Sequence, residues 1–304
     1  MFFTFEDVTR FSRMFRGKPC SVSDELRGWR WNEYPLTPPY NIRINVSDLA
    51  GGFCSTDRHL YVRYVLRARE KPNFKLELGL FIHRVYHLAS CKAKYIMYGG
   101  GLSGEIFKES FKGLSDRCFE EAYVDFHVLK PGFARRIFDL IWGYASNIYS
   151  AALDRIRSMS PYISLDGLVN HTVPMTAEFP VDGSLIGLNR AIRIDAILTP
   201  CIIVELKTRR FKPDYEIGLA GYALALESQY EIPIDYAVVI EVRFDRGLKD
   251  MKLYERYVQI SDELRERFIE RRDYAMRVVV EEMDPGLPDR CSDDCPFLGV
   301  CSNG

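Results

Sequence analysis

The segment Arg193-Ile-Asp195-Ala-Ile-Leu-Thr-Pro-Cys-Ile-Ile-Val-Glu205-Leu-Lys207 constrains this chain more than any other. Two apolar, β-branched runs flank Thr199-Pro200, a pattern that predicts an antiparallel hairpin turning at that pair. Folded so, Asp195 lies opposite Val204 or Glu205. Residues two apart share a strand face, so Glu205 and Lys207 point the same way. Two carboxylates and an ammonium then converge on one end of an otherwise apolar hairpin. Burying such groups is costly unless they bind something, and the set suits a hard divalent cation that keeps several waters. Lys207 would position or help deprotonate an attacking water, while the ion polarised a phosphoryl oxygen and stabilised the leaving oxygen. The plainer alternative is a strand pair with surface ion pairs. The strand-like flanks and the Ala- and Leu-rich helix expected over 215–228 favour the chemical reading.

The rest of the chain divides by periodicity. Residues 76–98 carry Leu80, Val85, Leu88 and Ile96 at helical spacing, and Gly99-Gly100-Gly101 ends the run. Ser47-Asp48 is expected to cap a short helix over 49–61. Residues 105–159 read as helix interrupted at Pro131-Gly132. After Pro161 the character changes, with strands expected within 162–181 and over 191–198, 201–207, 234–244 and 253–260. A last helix opens at Ser261 and runs to about Met283. The expected fold class is α/β: a mainly helical region 1–160, an α/β nucleus 161–284 and a cysteine-rich tail 285–304, joined in one composite globular unit.

Charge and composition narrow the function. An apolar content of 47% excludes a disordered chain. With 41 basic and 42 acidic residues, a generally basic nucleic-acid-coating protein is excluded too. Any such binding must be local, and two basic runs qualify: Lys207, Arg209, Arg210 and Lys212, then Arg63, Arg67, Arg69 and Lys71. Tyr61, Tyr64, Phe74 and Phe211 lie among them and could stack unpaired bases. The start, MFFTFEDVTR, lacks a signal-peptide core, and the apolar run 217–226 is too short to span a bilayer. A cytoplasmic protein with no membrane association is therefore expected.

Of eight cysteines, Cys291, Cys295 and Cys301 fall within the last fourteen residues. In a reducing compartment such clusters bind metal more often than they form disulfides. A fourth ligand is needed, and Cys54 is the best candidate. Zinc stays open, although no pair has C-x2-C spacing. Cys20, Cys91, Cys118 and Cys201 are expected to be small buried hydrophobes. Gly79-Leu-Phe-Ile-His83 places one histidine on the 76–98 helix, as a core residue or as a ligand. His87, one turn on, would make an H-x3-H zinc pair with it but has no further ligand.

The D…E-x-K hairpin, the G-x3-H helix, Tyr222 on the next helix, the early cysteine and the three late ones together resemble the CRISPR-associated RecB-like iron–sulfur exonucleases of the PD-(D/E)xK superfamily. The extra helical length before Pro161 is similar to the longer archaeal variant of type I-A systems. This resemblance implies a mixed central sheet flanked by helices. It implies Mn2+ or Mg2+ held by His83, Asp195, Glu205 and the Leu206 carbonyl, with Lys207 and Tyr222 completing the catalytic set. It implies an iron–sulfur cluster, of 4Fe-4S type, on Cys54, Cys291, Cys295 and Cys301. The implied activity is exonucleolytic cleavage of mainly single-stranded DNA, trimming spacer precursors beside the integrase proteins of CRISPR adaptation. Glu178 resembles an acidic residue found one strand earlier. The chain departs from the pattern at Gly218, where a glutamine is usual, at Ile192, where a glycine is usual, and in its C-x3-C spacing. A non-catalytic adaptation subunit that recognises DNA ends or sequence therefore stays open, as does an oligomer.

Overall fold

The computed structural model describes residues 1–51, 54–199, 201–291 and 295–301. The N-terminal half is helical: α1 (Phe5–Arg16), the short α2 (Val46–Ala50) and α3 (Arg58–Leu60), the long α4 (Phe74–Tyr98), α5 (Gly104–Gly113), α6 (Ser115–Ala122) and α7 (Pro131–Met159). Then α8 (Leu165–Thr172) leads into β1 (Met175–Val181), β2 (Ile192–Leu198) and β3 (Ile202–Lys207). After these come α9 (Tyr215–Tyr230), β4 (Tyr236–Phe244), β5 (Met251–Gln259), α10 (Asp262–Val280) and α11 (Leu298–Cys301).

The five strands form one sheet in the order β1-β2-β3-β4-β5. Only β3 and β4 run parallel; the other neighbours are antiparallel. A parallel pair needs a crossover, and α9 supplies it. Helices cover both faces. On one, α4 and α7 pack over Ala196, Leu198, Val204, Leu206 and Ile240. On the other, α9 and α10 pack over Ile194, Ile203, Ala237 and Val239. Covered twice, β3 and β4 must be apolar on both sides, which is why their sequences are nearly continuous runs. The expected α/β fold with a mixed sheet flanked by helices is therefore present. Met1, Phe2 and Phe3 are buried in the first core with sheet residues, so the helical half and the sheet share one interior.

Local chemistry sets the element that matters most here. The Asn73 side chain accepts from the Leu76 backbone N–H at 2.9 Å and starts α4. Gly99 closes it, and Gly100 takes the left-handed conformation with φ +100°.

Several boundaries differ from the sequence expectation. The helix expected over 49–61 stops at Ala50 and resumes only as the short α3; Gly52 and Phe53 between them lie outside the described residues. The 105–159 stretch is three helices, and Pro131 starts the last one at its first turn, where its missing N–H costs nothing. Part of the expected β region 162–181 is α8, because the Ser164 side chain caps it through the Gly167 N–H. Among the scattered cysteines only Cys118 is buried; Cys20 and Cys201 are half-buried and Cys91 is exposed. No helix among the described residues is long and apolar enough to cross a membrane.

Candidate active site

The hairpin forms as expected, with Pro200 of its turn outside the described residues. Its ladder pairs Ala196 with Val204, Ile197 with Ile203 and Leu198 with Ile202, then stops. Continued by one step it would set Asp195 against Glu205. Instead the strands part there, and an Asp195 carboxylate oxygen accepts the Leu206 N–H at 2.7 Å. The other Asp195 oxygen lies 2.9 Å from His83 Nδ1, on α4. Lys207 Nζ donates to Glu205 Oε1 at 2.6 Å. So the hairpin end and the G-x3-H helix, 112 residues apart in sequence, meet at one point.

Two backbone details explain that meeting. A Cβ on Gly79 would stand 3.3 Å from Thr208 Oγ1, so glycine lets α4 lie close against the residue after Lys207. Strand β2 also changes face: Ile192 and Ile194 enter the second core, while Ala196 and Leu198 enter the first. Regular alternation would put all four on one side. The change falls at Asp195. Its register partner, Glu178, is absent from the β1–β2 ladder and holds a left-handed φ of 53°. A non-glycine residue there costs on the order of 1–3 kcal/mol, the kind of strain that collects at functional sites. Glu178 Oε2 lies 3.3 Å from Arg193, so it is paired with a strand neighbour rather than aimed at the cluster.

The four groups balance as two acids and two bases in a buried setting. Burial works against the charged imidazolium of His83, but the Asp195 carboxylate holds its pKa above the ordinary value. Burial likewise opposes ionisation of Asp195, and His83, the Leu206 N–H and Lys207 together keep it below the usual carboxylate range. Glu205 goes the other way, raised by burial and by the charge of Asp195. Burial disfavours the Lys207 ammonium, yet Glu205 and Asp195 keep it above its ordinary value. Tyr222 on α9 is raised well above its ordinary value by burial, and further by the charges of Glu205 and Asp195. Glu205 Oε2 is buried with no hydrogen-bond partner among the described residues. An acceptor-only oxygen orphaned beside a second carboxylate and an imidazole fits a divalent cation. Among the described residues, no three His, Cys, Asp or Glu side chains stand close enough together to hold a metal ion as they are.

The two cysteine-bearing segments also pack together. The tail reaches the Cys54 region through several contacts: Arg58 Nε to Asp284 at 2.9 Å, Arg58 to the Cys301 carbonyl at 3.2 Å, and Thr56 Oγ1 to the Gly286 carbonyl at 2.8 Å. Phe297 and Cys301 bury against Val62. Burial raises the Cys301 thiol, the Arg58 guanidinium opposes that, and the charges of Cys295, Cys291 and Cys54 raise it further. At Cys54 burial opposes ionisation, but hydrogen bonds from His59 and Thr56 outweigh it and bring the thiol to about 6. That favours the thiolate, the form that ligates metal.

Sequence comparison decides the family. The family model of the CRISPR-associated exonuclease Csa1 matches residues 1–304. The chain belongs to that family. A CRISPR-associated exonuclease Csa1 from Saccharolobus solfataricus is 36% identical over 306 residues, covering 99% of each chain. Another, from Thermoproteus tenax, is 31% identical over 288 residues, covering 93% of this chain and 92% of that one. A solved structure from Eubacterium rectale, described as an exonuclease, covers 94% of each chain at 15% identity and a TM-score of 0.40, too distant to argue from. Membership in Csa1 supports the expectation of a nuclease.

The structure also accounts for a departure in this Csa1 chain. A Cβ on Gly218 would stand 3.0 Å from the Ala50 Cβ and 3.4 Å from Val46, so α2 packs where a glutamine would need room. Next along the chain from Lys207, Thr208, Arg209, Arg210, Lys212 and Tyr215, with Phe74 and Lys75 of α4, line a cavity of about 570 Å³ that reaches Cys295. The first basic run thus leads from Lys207 into that cavity. The second is partly committed to structure: Arg63 Nε lies 3.1 Å from Asp48 and its guanidinium covers the Phe297 ring, while the Lys71 N–H donates to the Pro296 carbonyl at 3.2 Å. Tyr215, over whose ring Lys207 Nζ sits at 4.6 Å, is a site residue that no sequence motif marks.

Proposed function

We propose that this chain is a metal-dependent DNA exonuclease of CRISPR adaptation that hydrolyses mainly single-stranded DNA and so processes spacer precursors, in company with the system's integrase proteins. The observation that carries it is the buried Asp195–His83 and Glu205–Lys207 pairing with an orphaned Glu205 oxygen. His83, Asp195, Glu205 and the Leu206 carbonyl would hold Mn2+ or Mg2+, which supplies charge for the phosphoryl oxygens when bound. Asp195 is kept ionised by His83 and the Leu206 N–H, as a ligand must be. Lys207 carries a proton beside Glu205 and is placed to orient a water and to stabilise negative charge. Tyr222 stays protonated and can donate a hydrogen bond into the site. Cys54, Cys291, Cys295 and Cys301 would hold an iron–sulfur cluster of 4Fe-4S type, tying residues 54–71 to the tail. A cytoplasmic location follows from this role.

The test is cleavage of end-labelled single-stranded DNA with manganese. The wild-type protein is expected to shorten it from an end, and Asp195→Asn to leave it whole. A wild-type protein that binds this DNA but never cuts it would favour the second reading, a non-catalytic subunit that recognises DNA ends. Gly218 supports that reading, since it leaves the site without the usual glutamine.

A further inference from the structure

From Lys207 the sheet continues outward to an open edge. Register sets Glu205 beside Val239 and Val239 beside Arg256; one step on, Lys207 stands beside Glu241 and Glu241 beside Tyr254. Residues in register share a face, so Arg256 and Tyr254 of the edge strand β5 lie on the same face as the catalytic pair. Helix α9 does not cover them: Tyr254 is 47% exposed. Rings and cations alternate along this face. Lys207 Nζ sits 4.6 Å from the Tyr215 ring centre, Tyr215 meets Phe211 at 6.1 Å, and Arg256 lies 4.0 Å over Phe211. Arg243 lies 4.7 Å over Tyr254, with Lys252 in register beside it. Two carboxylates belong to the same surface. Glu241 is paired with Arg243 and accepts the Phe211 N–H at 3.1 Å, and the charge of Glu216 feels Arg256.

We infer that this face is a single-strand track. Single-stranded DNA at the catalytic cluster extends across β4 and β5, its bases stacking on Phe211 and Tyr254 and its phosphates meeting Arg243, Lys252 and Arg256. The inference deepens the nuclease reading and rests on it for the direction of the strand. Three features carry it together. The rings are exposed or half-exposed, cations already lie within 4.0–4.7 Å of their centres, and the row begins at Lys207. A double helix would not use the rings, because its bases are already stacked.

The experiment uses the full-length Glu205→Gln protein, so that bound DNA is not cut. Its affinity for a single strand of about 15 nucleotides carrying 2-aminopurine is measured by anisotropy and by fluorescence quenching. In that background Tyr254→Ala is expected to raise Kd at least about 5-fold and to relieve the quenching. Tyr254→Phe keeps the ring and is expected to bind like the parent. Arg256→Gln should lower the slope of log K against log salt by about 0.7. Unchanged melting curves exclude misfolding of these exposed variants. Parental affinity and quenching in both Tyr254→Ala and Arg256→Gln would overturn the track while leaving the nuclease reading intact. If the wild-type protein cuts nothing yet these variants bind more weakly, the track stands and the catalytic reading falls. If the parent binds no single strand at all, both fall.

Discussion

Replacing Glu227 by Gln tests how the site's scaffold is held. Glu227, on α9, is wholly buried and collects five donors. They are Arg27 at 2.8 Å, Arg265 at 2.7 and 2.9 Å, the Gly28 N–H at 2.8 Å and the Ile234 N–H at 3.0 Å. Asp235 adds a second acid, 2.6 Å from Arg27. The group is neutral as it stands, with two guanidiniums and two carboxylates. A Gln amide presents one oxygen and one NH2, so its nitrogen faces N–H groups that previously met an acceptor. The wholly buried Arg265 then loses an ionic partner in a place water does not reach. Breaking a buried pair in this way costs about 3–5 kcal/mol. For 304 residues unfolding entropy makes each kcal/mol worth about 1.6 °C, so Tm should fall by about 6 °C. Glu227→Leu, with no acceptor, should fall further. Scanning calorimetry reads both. A shift below about 1 °C for Glu227→Gln would show that the network contributes nothing net, and would refute the reasoning.

Other outcomes follow from the site. Glu205→Ala and Lys207→Ala should each lower cleavage of single-stranded DNA at least about 100-fold with unchanged circular dichroism; undiminished activity in both would sink the catalytic assignment. The double variant Arg209→Gln with Arg210→Gln should reduce the salt slope of single-strand binding by about 1.4, read by titration at several ionic strengths. Anaerobically purified protein should be brown and carry iron, and Cys291→Ser with Cys295→Ser should lose both; a colourless wild-type protein holding stoichiometric zinc contradicts the iron assignment. Gly218→Gln should lower Tm by about 2–5 °C, because its side chain meets α2 at 3.0 Å. An unchanged Tm would mean that α2 yields there.

What this sequence determines by itself is local. Alternation and turn chemistry set the hairpin within a residue or so of its observed ends, since a strand pair separated by a tight turn depends on neighbours in sequence. The same holds for α4, whose Asn73 cap and Gly99 end are short-range signals, and for the spacing of Cys291, Cys295 and Cys301. Patterns with chemical meaning were therefore visible: His83 meets Asp195, and Lys207 meets Glu205, at the end of the hairpin. The helix α8 was not visible, because β-branched residues around it outweigh a single serine cap in any local count.

Tertiary structure decided the rest. Which oxygen of Asp195 takes His83, why Glu178 stands strained opposite it, and why glutamine at Gly218 would press on α2 all depend on elements distant in sequence packing at van der Waals range. The Glu227 network joins residues about 200 positions apart, and nothing in the order of residues marks them as partners. The ring-and-cation row beside Lys207 exists only because α9 crosses over and sets β4 parallel to β3, bringing β5 to the same face. Local propensity acts through a few neighbouring residues, whereas these contacts are selected by how two layers of helices close on one twisted sheet.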